Sequence, residues 1–252
     1  MSESGYLVPD WPAPLSVKAA VSLRQGGVST EPYKSFNLAE HVGDIPEAVE
    51  ANRARMRETL QIEQVTWLNQ IHGTDSLQIC SDFDFSLRPN ADASWTKLKN
   101  VACAVLTADC MPILACSTEG TKIAAIHAGW RGLSNGVIAR CLTAAKFNAE
   151  ETLIWLGPAI GPTAYQVGEE VRACFHRSEY FQQLNVDQAF EADGEKFLCN
   201  LYQLARMHLQ NRGYRNIWGE TECTFTDKDR YFSYRRDGET GRMASLIWMD
   251  EE

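Results

Sequence analysis

The sequence predicts a single α/β domain over residues 1–252. Short apolar runs of strand length alternate with segments whose apolar residues recur at helical spacing. No internal repeat, low-complexity tract or linker interrupts the chain, which favours one domain. Hydrophobic residues make up 44% of the chain and charged residues 23%, proportions that are typical of a globular protein.

The first predicted strand covers residues 19–24 and opens into a turn with two glycines at residues 25–29. Such a turn brings backbone N–H groups close to an anion, and Arg24 at its mouth adds a positive charge. An ordinary hairpin turn with a solvated arginine explains the same pattern.

A helix and a second strand come next. Residues 46–60 predict a helix, because a proline lies in its first turn and an aspartate just before it. Residues 65–68 predict a strand that leads through a short loop to His72. Residues 82–99 are polar and irregular, apart from a loop or short edge strand at residues 91–93.

The centre of the chain contains two apolar runs that each lead to a reactive side chain. Residues 101–106 lead to Cys110, and residues 122–126 lead directly to His127. Both runs have strand length and strand composition. We therefore expect two buried strands whose ends bring Cys110 and His127 toward one another.

A glycine turn at residues 129–132 follows His127, and apolar residues recur at helical spacing over residues 133–147. The start of a helix presents free N–H groups and the positive end of its dipole, a favourable setting for an anion. Arg131 adds a planar cation suited to phosphate or carboxylate.

The C-terminal part continues the alternation of strands and helices. The predicted strands are residues 152–156, 217–224 and a final buried strand within residues 241–249, and the predicted helices are residues 169–176 and 200–211. A polar excursion at residues 177–195 and a loop with paired arginines at residues 231–238 connect them.

Charge and composition exclude several classes of function. A formal net charge of -9 argues against a nucleic acid as the main partner, because such proteins need a basic surface. The sequence shows no signal peptide and no apolar run long enough to span a membrane. Its eight cysteines lie in apolar patterns without an export signal, so we expect reduced thiols in a cytoplasmic protein.

His72, Cys110 and His127 all follow predicted strands and form a plausible three-ligand zinc site with one open position. Buried core cysteine and structural histidines are the simpler alternative. Cys110 could also be a nucleophile with His127 as its base, as in a hydrolase. A closed structural zinc site would need a fourth ligand, for which His41 is the candidate.

Seven short motifs resemble those of the YfiH or laccase-domain family. They are RQGGVS at 24–29, SFNL at 35–38, HG at 72–73, ADC at 108–110, HAGWRG at 127–132, GPAIGP at 157–162 and FSYRR at 232–236. The resemblance implies mixed β-sheets layered with helices, and zinc held by His72, Cys110 and His127. It also implies phosphorolysis of adenosine, inosine and methylthioadenosine, adenosine deamination, and in some members peptidoglycan editing. One departure is Asn200, where the family pattern leads us to expect aspartate.

Five further residues are candidates for the proposed chemistry. Asp109 precedes the thiolate and is a candidate proton carrier. Arg24, Arg131 and Arg236 are candidates to bind phosphate, and Asn37 in the SFNL motif is a candidate to bind substrate.

The family's older name, multicopper polyphenol oxidase, implies copper chemistry. A blue copper with a trinuclear cluster needs roughly ten histidines, because imidazole is the main copper ligand in such sites. This chain has five, which disfavours a copper polyphenol oxidase. A single Cu²⁺ in place of Zn²⁺ would still be compatible with oxidation.

Overall fold

The computed structural model describes residues 5–251. The α-helices in this range are α1 Pro46–Leu60, α2 Trp130–Ser134, α3 Val137–Ala144, α4 Glu169–Arg177, α5 Leu201–Asn211 and α6 Tyr234–Asp237. The strands are β1 Tyr6–Leu7, β2 Val17–Ser22, β3 Gln64–Thr66, β4 Ser76–Ile79, β5 Ala93–Thr96, β6 Val101–Thr107, β7 Met111–Ser117, β8 Ile123–Ala128, β9 Thr152–Leu156, β10 Gln166–Val167, β11 Phe190–Asp193, β12 Lys196–Cys199, β13 Ile217–Gly219 and β14 Met243–Met249.

Two mixed sheets form the centre of the fold. One has the strand order β1-β2-β14-β6-β3, with β3 parallel to β6 and its other pairs antiparallel. The other has the order β13-β9-β7-β8-β5-β4, with parallel pairs only at its two edges. A small antiparallel sheet, β10-β12-β11, stands apart. The predicted α/β fold with mixed sheets is confirmed.

The two large sheets pack face to face, and helices cover their outer faces. Val105, Leu114 and Ile247 belong to the apolar cluster between the sheets. Met56 of α1 packs with the outer face of the five-stranded sheet, and Ile138 of α3 with that of the six-stranded sheet. Because both faces of each sheet are covered, the central strands are apolar along their whole length instead of alternating.

The structure corrects several predictions of secondary structure. The strand predicted over residues 217–224 ends at Gly219, as β13. A strand missed by the sequence analysis, β7, lies in the middle of the six-stranded sheet, although its second residue is Pro112. Proline is tolerated there because the strand is just beginning. The helix predicted over residues 133–147 is divided in two at Gly136, whose φ of 85° interrupts it. The loop predicted at residues 231–238 contains the short helix α6, capped by the Ser233 side chain.

Two findings concern membrane-spanning helices and disulfide bonds. No helix within residues 5–251 is long and apolar enough to cross a membrane. All eight cysteines are free thiols, as the sequence predicted.

Truncation of Leu114 to alanine tests the packing between the sheets. Leu114 is fully buried in β7, so Leu114→Ala leaves a cavity and should lower the free energy of unfolding by about 2–5 kcal/mol. Chemical denaturation measures this change. Leu15, which is 91% exposed, is the control, and Leu15→Ala should change stability by less than about 0.5 kcal/mol. Equal stability of the two variants would contradict the described packing.

Candidate metal centre

His72, Cys110 and His127 converge on one point. Their metal-binding atoms all lie within 4.8 Å of one another. The Sγ of Cys110 is 3.8 Å from Nε2 of His72, and the two imidazole rings are nearly perpendicular with centroids 4.8 Å apart. His127 is buried, Cys110 is half-buried and His72 is exposed, so the cluster is reached from the His72 side.

The connection between the two large sheets creates this convergence. The chain leaves the five-stranded sheet after Thr107 and enters the six-stranded sheet at Met111, so Cys110 lies in the crossing between them. Pro112 pairs with His127 in the adjacent strand, which brings Cys110 beside the end of β8. The amide of Gln70 donates to the Leu106 carbonyl at 2.8 Å and accepts its N–H at 2.7 Å. The loop that carries His72 is therefore fastened to the end of β6.

A buried carboxylate, Asp92, fixes both histidines. Its Oδ1 accepts from Nδ1 of His127 at 2.8 Å and from the backbone N–H of His72 at 3.0 Å. Its Oδ2 accepts from the N–H of Gly73 at 2.6 Å. Because Nδ1 is occupied, Nε2 of His127 remains available to a metal, an arrangement common around protein zinc ions.

Sequence reasoning missed Asp92. It placed residues 91–93 in a loop or short edge, whereas Ala93 begins β5 and Asp92 is fully buried. The available signal was an aspartate flanked by alanines, just before Trp95 in an otherwise polar stretch. A buried carboxylate needs hydrogen-bonding partners, and such a residue therefore indicates a site.

The electrostatics of the cluster favour a thiolate. Burial raises the pKa of the Cys110 thiol, but the neighbouring His127 and His72 imidazoles outweigh burial and bring that pKa below its ordinary value. Burial likewise lowers the pKa of His127, but the Cys110 thiolate and the bond to Asp92 together raise it above its ordinary value. A thiolate is the protonation state that binds metal, and metal binding displaces a proton from histidine.

Backbone geometry around the cluster is tightly constrained. His72 and Asp109 both have positive φ, 57° and 92°, which is uncommon for residues other than glycine. At Gly129, a Cβ would lie 2.8 Å from the Sγ of Cys110 and 3.1 Å from Cδ2 of His72. A side chain at position 129 would therefore displace two of the three metal-binding groups.

Two imidazole nitrogens and one thiolate form a donor set that fits zinc. In tetrahedral zinc sites the nitrogen and sulfur ligands are roughly 3.5 Å apart, close to the 3.8 Å found between His72 and Cys110. Among residues 5–251 no fourth histidine, cysteine or carboxylate completes the group, and His41 is not part of it. Three protein ligands with an open position are the pattern of catalytic zinc.

Asp109 lies beside the cluster with both carboxylate oxygens occupied. Oδ1 accepts from Oγ1 of Thr224 at 2.7 Å, and Oδ2 accepts from the N–H of Arg235 at 2.6 Å. These bonds connect the Cys110 turn to α6. They favour a structural role for Asp109, and its assignment as proton carrier stays a prediction.

Arg24 and Arg236 line one cavity of about 560 Å³, together with Lys34 and Lys228. The lining described for it includes none of the three candidate metal ligands. Arg24 donates to the carbonyls of Lys34 and Lys228. Arg236 donates to three carbonyls and to Asp237. Both guanidinium groups thus serve to hold loops together.

The remaining two candidates occupy different surroundings. Asn37 is fully buried, and its Oδ1 accepts the N–H groups of Ala39 and Arg242, both at 3.0 Å. Its contacts favour a structural role. Arg131 is exposed in α2, two residues from Gly129, and its guanidinium lies 4.3 Å from the Trp130 ring centroid. The substrate-binding roles of both residues stay predictions.

Comparison with known proteins places this chain in a family. The family described as multi-copper polyphenol oxidoreductase laccase matches residues 18–250. A relative named purine nucleoside phosphorylase YfiH, from Escherichia coli K12, is 46% identical over 98% of this chain and 99% of its own length. A purine nucleoside phosphorylase of Pseudomonas aeruginosa is 44% identical over 98% of this chain and 100% of its own. The chain belongs to this YfiH or laccase-domain family.

Solved structures agree with this assignment. A Neisseria meningitidis protein of 45% identity superposes with a TM-score of 0.92 and covers 98% of this chain and 100% of its own. YlmD of Geobacillus stearothermophilus, 29% identical, has a TM-score of 0.90 and covers 100% of this chain and 98% of its own. The fold is therefore that of the family across nearly the whole chain.

Replacing Asp92 by asparagine tests its hold on His127. Asp92→Asn removes the carboxylate that orients the imidazole, so zinc should dissociate about 10–100-fold more readily. Competition with a chromogenic chelator measures this affinity. Asp44 is a matched control, because it is a buried carboxylate bonded to Ser29 and Asn37 outside the cluster. Zinc affinity as high in Asp92→Asn as in Asp44→Asn would refute the orienting role.

The lowered pKa of Cys110 predicts selective alkylation. In metal-free protein at pH 7, iodoacetamide should modify Cys110 faster than the exposed Cys80, and zinc should protect Cys110. Buried Cys103 and Cys141, whose pKa values burial raises, should react only on unfolding. Peptide mass spectrometry after timed quenching measures each rate. A Cys110 that stays unmodified until the protein unfolds would exclude an accessible thiolate.

Proposed function

We propose that this protein is a zinc-dependent purine nucleoside phosphorylase that acts on adenosine, inosine and methylthioadenosine and also deaminates adenosine. The observation that carries the proposal is the convergence of His72, Cys110 and His127 at an exposed position with three donors. Membership of a family with relatives named purine nucleoside phosphorylase supports it further.

Zinc bound by His72, Cys110 and His127 would supply a Lewis acid that activates water or polarises an oxygen. The chain's own groups do the rest. Asp92 holds the His127 ring in one orientation, and the Cys110 thiolate adds negative charge beside it. Phosphorolysis breaks the bond between purine and ribose and joins phosphate to the ribose carbon, so an arginine must hold phosphate near the cluster.

A cytoplasmic location is part of the proposal. Purine nucleosides and inorganic phosphate are both small molecules of the cytoplasm, and eight free thiols suit a reducing compartment. A net charge of -9 makes nucleic acid an unsuitable substrate. The partners proposed are therefore a purine nucleoside and phosphate.

A second candidate function is a Cys-His hydrolase that edits peptidoglycan precursors. Cys110, His127 and Asp92 stand in the order nucleophile, base and orienting carboxylate, and the thiol pKa is lowered. A thiolate held by zinc is a poor nucleophile, so the two functions exclude one another at one time. Full activity of metal-free protein would favour the hydrolase.

Multicopper oxidation has little support in the positions of the histidines. Of the five histidines, His176 bonds Asp187 on the surface and His208 stacks on Phe181, so neither reaches the cluster. Only two imidazoles converge there, which is too few for a cluster of several coppers. A single Cu²⁺ replacing Zn²⁺ is the remaining oxidative possibility.

Product analysis tests the proposal. Zinc-loaded protein given adenosine and phosphate should release adenine and ribose 1-phosphate, and adenosine alone should yield inosine. Cys110→Ala should lose both zinc and activity, by at least about 100-fold, because a ligand is missing. Cys80→Ala, which removes an exposed cysteine, should retain both. Chromatography and metal analysis of the same samples provide the readout, and inactivity toward every purine nucleoside would end the proposal.

A further inference from the structure

We propose that Arg242, which sequence analysis did not single out, holds the phosphate co-substrate beside the metal cluster. This assignment rests on the proposed phosphorylase function. It is independent of Arg24, Arg131 and Arg236, the arginines that the sequence indicated.

Arg242 lies at the end of the five-stranded sheet from which the chain crosses to Cys110. Met243, the first residue of β14, pairs with Thr107, the last residue of β6. Arg242 therefore adjoins the turn formed by residues 108–110. Burial lowers the pKa of Arg242, whereas the negative charges of Cys110 and Asp109 oppose that shift. The Arg242 guanidinium therefore interacts electrostatically with the Cys110 thiolate.

The Arg242 guanidinium is half-buried and has no ion-pair partner among residues 5–251. Its Nη1 donates to the carbonyls of Thr240 and Gly241, at 2.7 and 3.0 Å. Nε and Nη2 donate to no group in the same range. Asp109 acts on the guanidinium only through its charge, because both of its carboxylate oxygens accept hydrogen bonds from Thr224 and Arg235 instead. A half-buried cation with no directly hydrogen-bonded anion leaves donor capacity unused, so the two free guanidinium nitrogens are suited to an anion from outside.

The backbone of Arg242 is held firmly in place. Its N–H donates to Oδ1 of Asn37, and its carbonyl accepts the N–H of Leu38 at 3.4 Å. Asn37 is in turn fixed by Asp44, which accepts from its Nδ2 at 2.9 Å. The buried Asn37 is thus a positioning residue for Arg242. The SFNL segment thus has a structural role, which is to hold the backbone of Arg242. This role needs no contact between Asn37 and the substrate.

Arg242 is a better phosphate ligand than the other candidates. Every guanidinium nitrogen of Arg24 and Arg236 already donates to a carbonyl or to Asp237. Arg131 is exposed, so water screens its charge. Arg242 offers two unused nitrogens on one planar group, which matches two oxygens of a phosphate. Of the proposed substrates only phosphate carries a negative charge.

The experiment compares zinc-loaded wild-type protein with Arg242→Met and Arg242→Lys. Arg242→Met should raise the KM for phosphate and the Kd of inorganic phosphate measured by titration calorimetry, each about 10–100-fold, because charge-assisted hydrogen bonds are lost. Arg242→Lys keeps the charge without the planar fork and should give an intermediate value. Zinc content and the KM for nucleoside should remain those of the wild type.

Arg206→Met is the matched control. Arg206 lies on α5, is half-buried and is paired with Glu220, so Arg206→Met removes one positive charge without affecting phosphate. Phosphate binding as tight in Arg242→Met as in wild type, or absent from wild type, overturns the assignment. The protein could bind phosphate through Arg242 and yet release no purine base. That result would refute the phosphorylase proposal alone and would support the anion site. If Arg242→Met does not fold, Arg242→Lys decides, and an unchanged Kd for phosphate in that variant counts against the assignment.

Discussion

The buried carboxylate of Asp92 is the contact on which the candidate site depends. It accepts the Nδ1 proton of His127 and the backbone N–H groups of His72 and Gly73, so it holds a strand and a loop in one geometry. Burial raises the pKa of Asp92, but these donors outweigh burial and keep that pKa below its ordinary value. The charge is retained at neutral pH because its hydrogen bonds are satisfied.

The packing of two sheets makes this contact possible. The chain changes sheet between Thr107 and Met111, and Cys110 lies in that crossing. Asp92 immediately precedes β5, which pairs with β8, so the carboxylate lies beside His127. The absence of a side chain at Gly129 leaves room for the Cys110 sulfur. The cluster is thus a consequence of topology, since its members are far apart in the chain.

Sequence patterns predicted the fold class and the three converging side chains, because reactive residues at the ends of apolar runs mark strand exits. They failed where partners come from distant segments. Asp92, and Arg242 as the proposed phosphate ligand, are recognised by burial and by contacts made across the fold, which no local pattern records. Strand β7 was missed because Pro112 argues locally against a central strand. At Asn200, where aspartate was expected, Oδ1 accepts from the N–H of Gln203 and caps α5, a role both residues perform.

Phosphorylase and hydrolase functions differ in what Cys110 contacts, so the coordination of bound zinc tests most directly whether His72, Cys110 and His127 form a three-ligand site. X-ray absorption at the zinc edge, on protein loaded with one equivalent of zinc, measures the type and distance of each ligand. We expect two imidazole nitrogens at about 2.0 Å, one sulfur at about 2.3 Å and at least one oxygen from solvent around the zinc. A shell without sulfur, or one closed by a fourth side chain of the protein, would contradict this expectation.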